Sequence, residues 1–293
     1  MVNMAERVLR HAIHECGWYN IPMHVAAVQF DVSWEDARSS ILSASTMLAM
    51  ANLPAGALAV LPETFATGFT LNAELTLAAQ AETEQALSEL ALSLGIYLCG
   101  GLIARGKDGR AENQAVLFGP DGIVAGRYAK RHPFTLWGEE KVYAAGSDVQ
   151  TFCIPDRNHH GPEGHETLGQ DVQATCRLAP LICYDLRFPE DFRQAAARGA
   201  EVFLVPANWP DVRMHHWRAL LIARAIENQA CVVGVNRTGR DPHGTYTGGS
   251  MIVSPRGEVL AQAGEGPQIL TAEIDLADLR TYRRDFPVLR DMN

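Results

Sequence analysis

One of the six cysteines in this chain stands where a nucleophile would be mounted. The apolar run 178–182 ends in Cys183, and Pro189-Glu190-Asp191 then supplies the fixed φ and the negative charge that favour the first turn of a helix. The spacing predicts that helix to about Arg198, a stop at Gly199 and a buried strand over 201–205. Strand, sharp turn, helix and strand make a βαβ unit, and in open α/β sheets the carboxyl ends of strands face the ligand crevice. A thiol there is a candidate nucleophile. Cysteine is also among the most often buried residue types, so this stretch alone is equally compatible with inert packing.

Two further reactive side chains fall at strand ends. Residues 57–61 read as a short strand that delivers Pro62-Glu63-Thr64, and strands 113–119 and 123–129 form a hairpin around Gly119-Pro120-Asp121-Gly122 that presents Lys130. Taken singly, each is the solvated charge expected at the end of an element. Together a carboxylate, a cation and a thiol are the parts needed to attack a carbonyl-type carbon, provided the strands lie in one layer and their ends converge.

The remaining elements must position these three. Residues 24–30 read as a buried strand. Ser33, with Asp36 three residues on, is the expected N-cap of a helix whose stripe is Ala37, Ile41, Leu42, Ala44, Met47, Leu48 and Met50. Helix 81–94 stops at Gly95 before strand 96–100, and 149–154 is a further strand. Helix 214–229, with Ala219, Ile222, Ala223 and Ile226 on its inner side, leads into strand 231–235. A second hairpin, 250–253 with 259–261, turns at Ser254-Pro255-Arg256-Gly257, and 268–274 is the last strand. The stretch 155–171 reads as an exposed loop; its His159, His160 and His165 meet no metal-ligand spacing. With no repeat and no linker, residues 23–293 are expected to form one domain, preceded by an N-terminal extension over 1–22.

Composition narrows the function class. A formal charge of −9 over 293 residues, without a Lys/Arg block, argues against nucleic acid or an anionic membrane as partner, leaving small-molecule chemistry. The six scattered cysteines include no CxxC pair, and no apolar run has the length of a membrane span, so a reducing compartment, the cytoplasm, is expected.

Through Leu61-Pro-Glu-Thr-Phe65, Tyr128-Ala-Lys-Arg-His132 and Leu181-Ile-Cys-Tyr-Asp-Leu-Arg-Phe-Pro189, the chain resembles the nitrilase superfamily of carbon–nitrogen hydrolases from about Met23 to Ile274. The stretches Pro206-Ala-Asn-Trp-Pro210, Arg224-Ala-Ile-Glu-Asn-Gln229 and Val233-Gly-Val-Asn-Arg237 resemble its omega-amidase branch. The resemblance implies a four-layer α-β-β-α sandwich, a thioester intermediate, no cofactor or metal, and a homodimer or higher homo-oligomer. It implies Cys183 as nucleophile, Glu63 as general base and Lys130 as the cation at the tetrahedral intermediate. It also implies a second glutamate after the lysine, for which Glu139 and Glu140 both qualify and the distance to Gly146 favours Glu139. Other amidases of the superfamily, acting on deaminated glutathione or N-carbamoyl compounds, a true nitrilase, and a catalytically silent binding subunit remain open. Pro133, where many relatives place Leu, and the 155–171 insert bear on substrate size.

The chemistry of the residues gives each a task. A nearby Lys lowers a thiol's pKa, a carboxylate within reach can take its proton, and Lys130 with the Tyr184 backbone N–H can hold a developing oxyanion. For an amide with a carboxylate at its far end, Arg187 is a candidate bidentate clamp, a structural ion pair being the alternative. Phe134, Trp137, Asn208 and Trp209 are candidate pocket walls, each equally compatible with core.

Overall fold

The structure is a computed structural model that describes residues 22–155 and 175–292. The expected extension, apart from Pro22, lies outside the described residues, as do Cys16 and the loop histidines. The strands are β1 (Met23–Gln29), β2 (Leu58–Val60), β3 (Tyr97–Arg105), β4 (Ala111–Phe118), β5 (Val124–Ala129), β6 (Phe152–Pro155) and β7 (Thr175–Pro180). They continue with β8 (Val202–Ala207), β9 (Cys231–Asn236), β10 (Thr238–Asp241), β11 (Gly244–Thr247), β12 (Met251–Val253), β13 (Val259–Gln262) and β14 (Gln268–Ile274). One six-stranded sheet has the order β14-β1-β2-β3-β4-β5 and the other β13-β12-β9-β8-β7-β6, with β10 and β11 forming a separate hairpin. Each large sheet has three parallel strands at its centre, β1-β2-β3 and β7-β8-β9, and antiparallel strands around them.

The alternation of side chains along β1 sets the layers. Val25 and Ala27 join a core shared with the second sheet, including Leu178, Val202 and Val233, whereas Ala26 and Val28 face a second core with Ala44, Leu48, Leu87 and Ala91. Those four come from the helices Ala37–Met50 and Gln80–Leu94, which cover the first sheet. The helices Pro189–Ala197 and Met214–Asn228 cover the second: Phe192 packs edge-on against Phe203 of β8, and Trp217 and Leu221 crowd Gly234 of β9. The result is the four-layer α-β-β-α sandwich.

Several local expectations are corrected. Asp36, not Ser33, caps the first helix, its carboxylate accepting from Ser39 N at 3.0 Å, and Leu42 and Met50 of the expected stripe are exposed. In helix Met214–Asn228 the buried face is Trp217, Leu221, Arg224, Ala225 and Asn228, while Ala219 and Ile226 face outward. Counting apolar residues misplaced that face because a buried Arg224, donating to Leu186 O at 2.8 Å, takes one of its positions. Strand β3 runs on past Gly100 to Arg105, and the helices Ala73–Ala78 and Leu276–Asp285 and the β10–β11 hairpin, whose apolar periods are short or absent, were not anticipated.

Candidate active site

The three expected reactive residues do not arise from one layer. Glu63 and Lys130 follow β2 and β5 of the first sheet, and Cys183 follows β7 of the second, so they meet at the sheet interface. Glu63 sits on a turn held by Leu61 N to Cys99 O at 2.8 Å and Phe65 N to Gly101 O at 3.0 Å, with Thr64 in the left-handed region at φ 43°. Gly101 makes that turn possible: a Cβ there would come within 2.6 Å of Glu63 Cα and 2.7 Å of Thr64 N, backbone atoms with no room to yield. Lys130 is pinned on both sides of its strand end, its N–H donating to Asn113 O at 2.8 Å and its carbonyl accepting from Gly146 N at 2.8 Å.

Lys130 is not the solvated hairpin end that its neighbours Arg131 and His132 suggest; it is 1 % exposed. Its Nζ lies 2.8 Å from Glu63 Oε1 and 2.8 Å from Glu139 Oε2. Glu139 is buried at the start of the short helix Glu139–Val142, whereas Glu140 beside it is exposed. Asn113, which the sequence reading missed, donates from Nδ2 to Glu63 at 2.8 Å and to Glu139 at 3.0 Å. Its only sequence signal is an amide inside an otherwise strand-like run. Asn208 closes the other side, giving its backbone N–H to Glu63 Oε2 at 2.9 Å and its Nδ2 to Glu63 O at 2.9 Å. These contacts leave the Glu63 and Glu139 carboxylates buried but satisfied.

Cys183 opens a 3-10 turn, Cys183–Arg187, three residues beyond the end of β7, with φ 46°. A non-glycine residue held there stores strain, and its surroundings over-determine it. Asp185, fully buried, accepts from Ile182 N at 2.8 Å, Tyr128 OH at 2.7 Å and His132 N at 2.9 Å. Tyr128 and His132 flank Lys130 and Ile182 precedes Cys183, so one carboxylate ties the Cys183 turn of one sheet to the lysine-bearing end of the other. The Cys183 thiol points toward Asn208 O at 3.8 Å and lies beside Glu63.

Lys130 pulls the thiol in the expected direction, but other neighbours outweigh it. Burial and the Glu63 charge push the Cys183 thiol well above its usual range, and Lys130, already shared between two carboxylates, offsets only part of this. Burial would raise Glu63 as well, but Lys130, Asn113 and the Asn208 N–H outweigh it and hold this carboxyl below its ordinary value. The resting pair is therefore a thiol beside a carboxylate, which suits proton transfer during attack rather than a preformed thiolate.

Burial pushes Asp185 up to about 7, against the opposing pull of its three donors and Lys130. Its folded pKa thus lies above the unfolded value, so its contribution to stability is present at low pH and is lost as pH rises toward 7. Asp185→Asn, which must turn an amide N–H toward one of those donors, is expected to destabilise the protein by about 1–3 kcal/mol. Denaturant titrations should find that deficit larger at pH 5 than at pH 8; a deficit growing with pH would reverse the assignment.

Above Cys183 lies a pocket of about 370 Å³, open mouth included. Phe134 and Trp137 form one wall, their rings 5.2 Å apart, with Tyr184 edge-on to Phe134 at 4.9 Å. Asn208 and Trp209 also line the pocket and are at the same time nearly inaccessible, so the pocket and core readings are both true of them. Arg187 also lines the pocket, its guanidinium 4.8 Å from the Trp209 ring and its Nη2 3.2 Å from His216 Nδ1; among the described residues it has no carboxylate partner. Also among the described residues, one group has metal-ligand proximity, His132, Asp185 and Asp191, and its oxygens are engaged by backbone N–H groups, Tyr128, Arg131 and His132.

Comparison with known proteins agrees with this architecture. The chain is 34 % identical over 271 residues to a 2-oxoglutaramate amidase of Bacillus subtilis, covering 92 % of this chain and 96 % of that protein. It superimposes with a TM-score of 0.80 on a CN-hydrolase superfamily protein from Xanthomonas campestris that carries an arsenic adduct in its active site, at 29 % identity and covering 93 % and 97 % of the two chains. An amidase variant from Nesterenkonia, with the acetamide moiety of fluoroacetamide added to its active-site cysteine, superimposes with a TM-score of 0.75 at 25 % identity, covering 94 % and 98 %. The carbon-nitrogen hydrolase family model matches residues 24–284, and the chain belongs to that family, as a hydrolase acting on carbon–nitrogen bonds.

Proposed function

We propose that this protein hydrolyses the terminal amide of a small 2-oxo dicarboxylic acid monoamide, of the 2-oxoglutaramate type, through a thioester on Cys183. The observation that carries the reading is the thiol set beside the buried Glu63–Lys130–Glu139 cluster, at the floor of a pocket that Arg187 lines. The similarity to a 2-oxoglutaramate amidase supports the substrate class.

Glu63 takes the thiol proton as sulfur attacks the amide carbon. The carbonyl oxygen becomes an oxyanion held by Lys130 and the Tyr184 N–H, a type of contact whose loss typically costs about 3–4 kcal/mol of barrier. Glu63 returns the proton to the nitrogen and ammonia leaves. It then takes a proton from water, whose oxygen attacks the thioester, and the acid departs as the thiol is restored. Glu139 holds Lys130 in place, and Arg187 takes the far carboxylate. The scattered cysteines, with no CxxC pair, support a reducing compartment, the cytoplasm.

The test is ammonia release from 2-oxoglutaramate, an N-carbamoyl amino acid and a simple nitrile, each also with Cys183→Ala. Fast release from the first alone, lost in the variant, is the expected result. Release from another of the three would retain the thiol chemistry and replace the substrate, and none from any would sink the reading.

A further inference from the structure

A second guanidinium reaches the same pocket. Arg213 ends the 3-10 turn Asp211–Arg213 directly before helix Met214–Asn228, and its carbonyl accepts from Trp209 Nε1 at 2.9 Å. That bond folds 209–213 back on itself, and the guanidinium comes to rest 5.7 Å from the Phe134 ring on the pocket wall. Arg187 lines the same pocket, its guanidinium 4.8 Å from the Trp209 ring. Each arginine therefore rests on an aromatic ring of the pocket lining, and among the described residues neither has a carboxylate partner.

Both guanidiniums act electrostatically on one imidazole, and Arg187 touches it. Partial burial, His215, Arg187 and Arg213 hold His216 below its ordinary value, so it is neutral near pH 7 and accepts the Arg187 Nη2–H at 3.2 Å. The charge of the pocket is lopsided as a result. Glu63 is the one carboxylate among the described residues that line it, and it is paired with Lys130; among those residues the two arginines have no counter-ion. A guanidinium lying against a ring still offers an N–H edge to a pair of oxygens, and holding it there removes much of the entropy cost of ordering a long side chain.

We propose that Arg213 and Arg187 together form an anion subsite, and that Arg213 is a specificity-determining residue selecting amides with a carboxylate at the far end over neutral amides. This rests on the omega-amidase reading of the pocket and assigns that carboxylate a second, unanticipated partner.

The experiment measures binding rather than turnover. Succinamate and its neutral counterpart butyramide are titrated calorimetrically into Cys183→Ala protein, and again after adding Arg213→Gln or Arg213→Lys. Arg213→Gln should weaken succinamate roughly 10- to 100-fold, the range for a lost hydrogen bond to a charged group, and leave butyramide within about twofold. Arg213→Lys, which keeps the charge and loses the fork, should fall between. Equal weakening of both ligands would mean that Arg213 only shapes the Trp209–Phe134 walls and would overturn the subsite, as would no effect on either. If the parent protein itself does not prefer succinamate, the substrate reading falls and the subsite with it. A preference that survives Arg213→Gln overturns the subsite alone.

Discussion

Lys130→Met is expected to destabilise the protein by about 3–5 kcal/mol while also removing most of its activity, because breaking a buried ion pair strands the partner charges. Here two are stranded: Glu63 and Glu139 are both 0 % exposed, and both contact the Lys130 ammonium at 2.8 Å. Their pH dependence gives a sign that simple loss of packing would not. With Lys130 present, Glu63 is held below its unfolded value, so its stabilisation exists above that value and disappears as pH falls through the folded pKa. Without the cation, burial raises Glu63, and the variant should gain stability as pH falls from 8 toward 5. Denaturant midpoints at those two pH values decide the matter; a deficit independent of pH would mean that the lysine contributes chiefly its stem. Among molecules that remain folded, loss of the oxyanion donor should lower kcat by about 10²- to 10³-fold or more.

Cys183→Ala is expected to lower kcat by on the order of 10⁴-fold or more, since members of a catalytic unit act together. The fold should survive, because Cys183 is only partly buried and φ 46° is no harder for alanine than for cysteine. The wild-type thiol carries a companion prediction. Burial and Glu63 raise it, so alkylation at this position, followed by peptide-resolved mass spectrometry, should accelerate only above the pH at which a free small-molecule thiol such as N-acetylcysteine reacts. Inflection below that of the free thiol would indicate a resting thiolate, and Glu63 would then have no proton to take in the first step.

How legible was this site? The residue types and their order along the chain were readable, because the hydrogen-bonding pattern of a strand and the chemistry of its last residue are local. The partnerships among them were not. Asn113 and Asp185 carry no mark in the sequence that separates them from any polar residue near a strand or turn; they become positioning groups only because strands far apart in sequence end side by side. Arg213 was passed over for the same reason, since only the Trp209 bond turns it back toward Phe134. Helix faces failed where polar residues are buried, as at Arg224 and Asn228, because an apolar count assumes that burial and hydrophobicity coincide.

The sequence by itself determined the βαβ order, the two hairpins, the placing of Glu63, Lys130 and Cys183 just after strands, and the family to which those motifs belong. All of these rest on spacings of a few residues, over which backbone geometry is nearly fixed. Only the tertiary structure decided that the three residues come from two sheets and that Glu139 rather than Glu140 faces the lysine. It also decided that burial and Glu63 push the Cys183 thiol above its usual range despite Lys130. The physical reason is that the charge balance of a buried site is a sum over neighbours brought together by packing. A lysine that would lower a thiol's pKa in isolation cannot do so fully when two carboxylates already hold it.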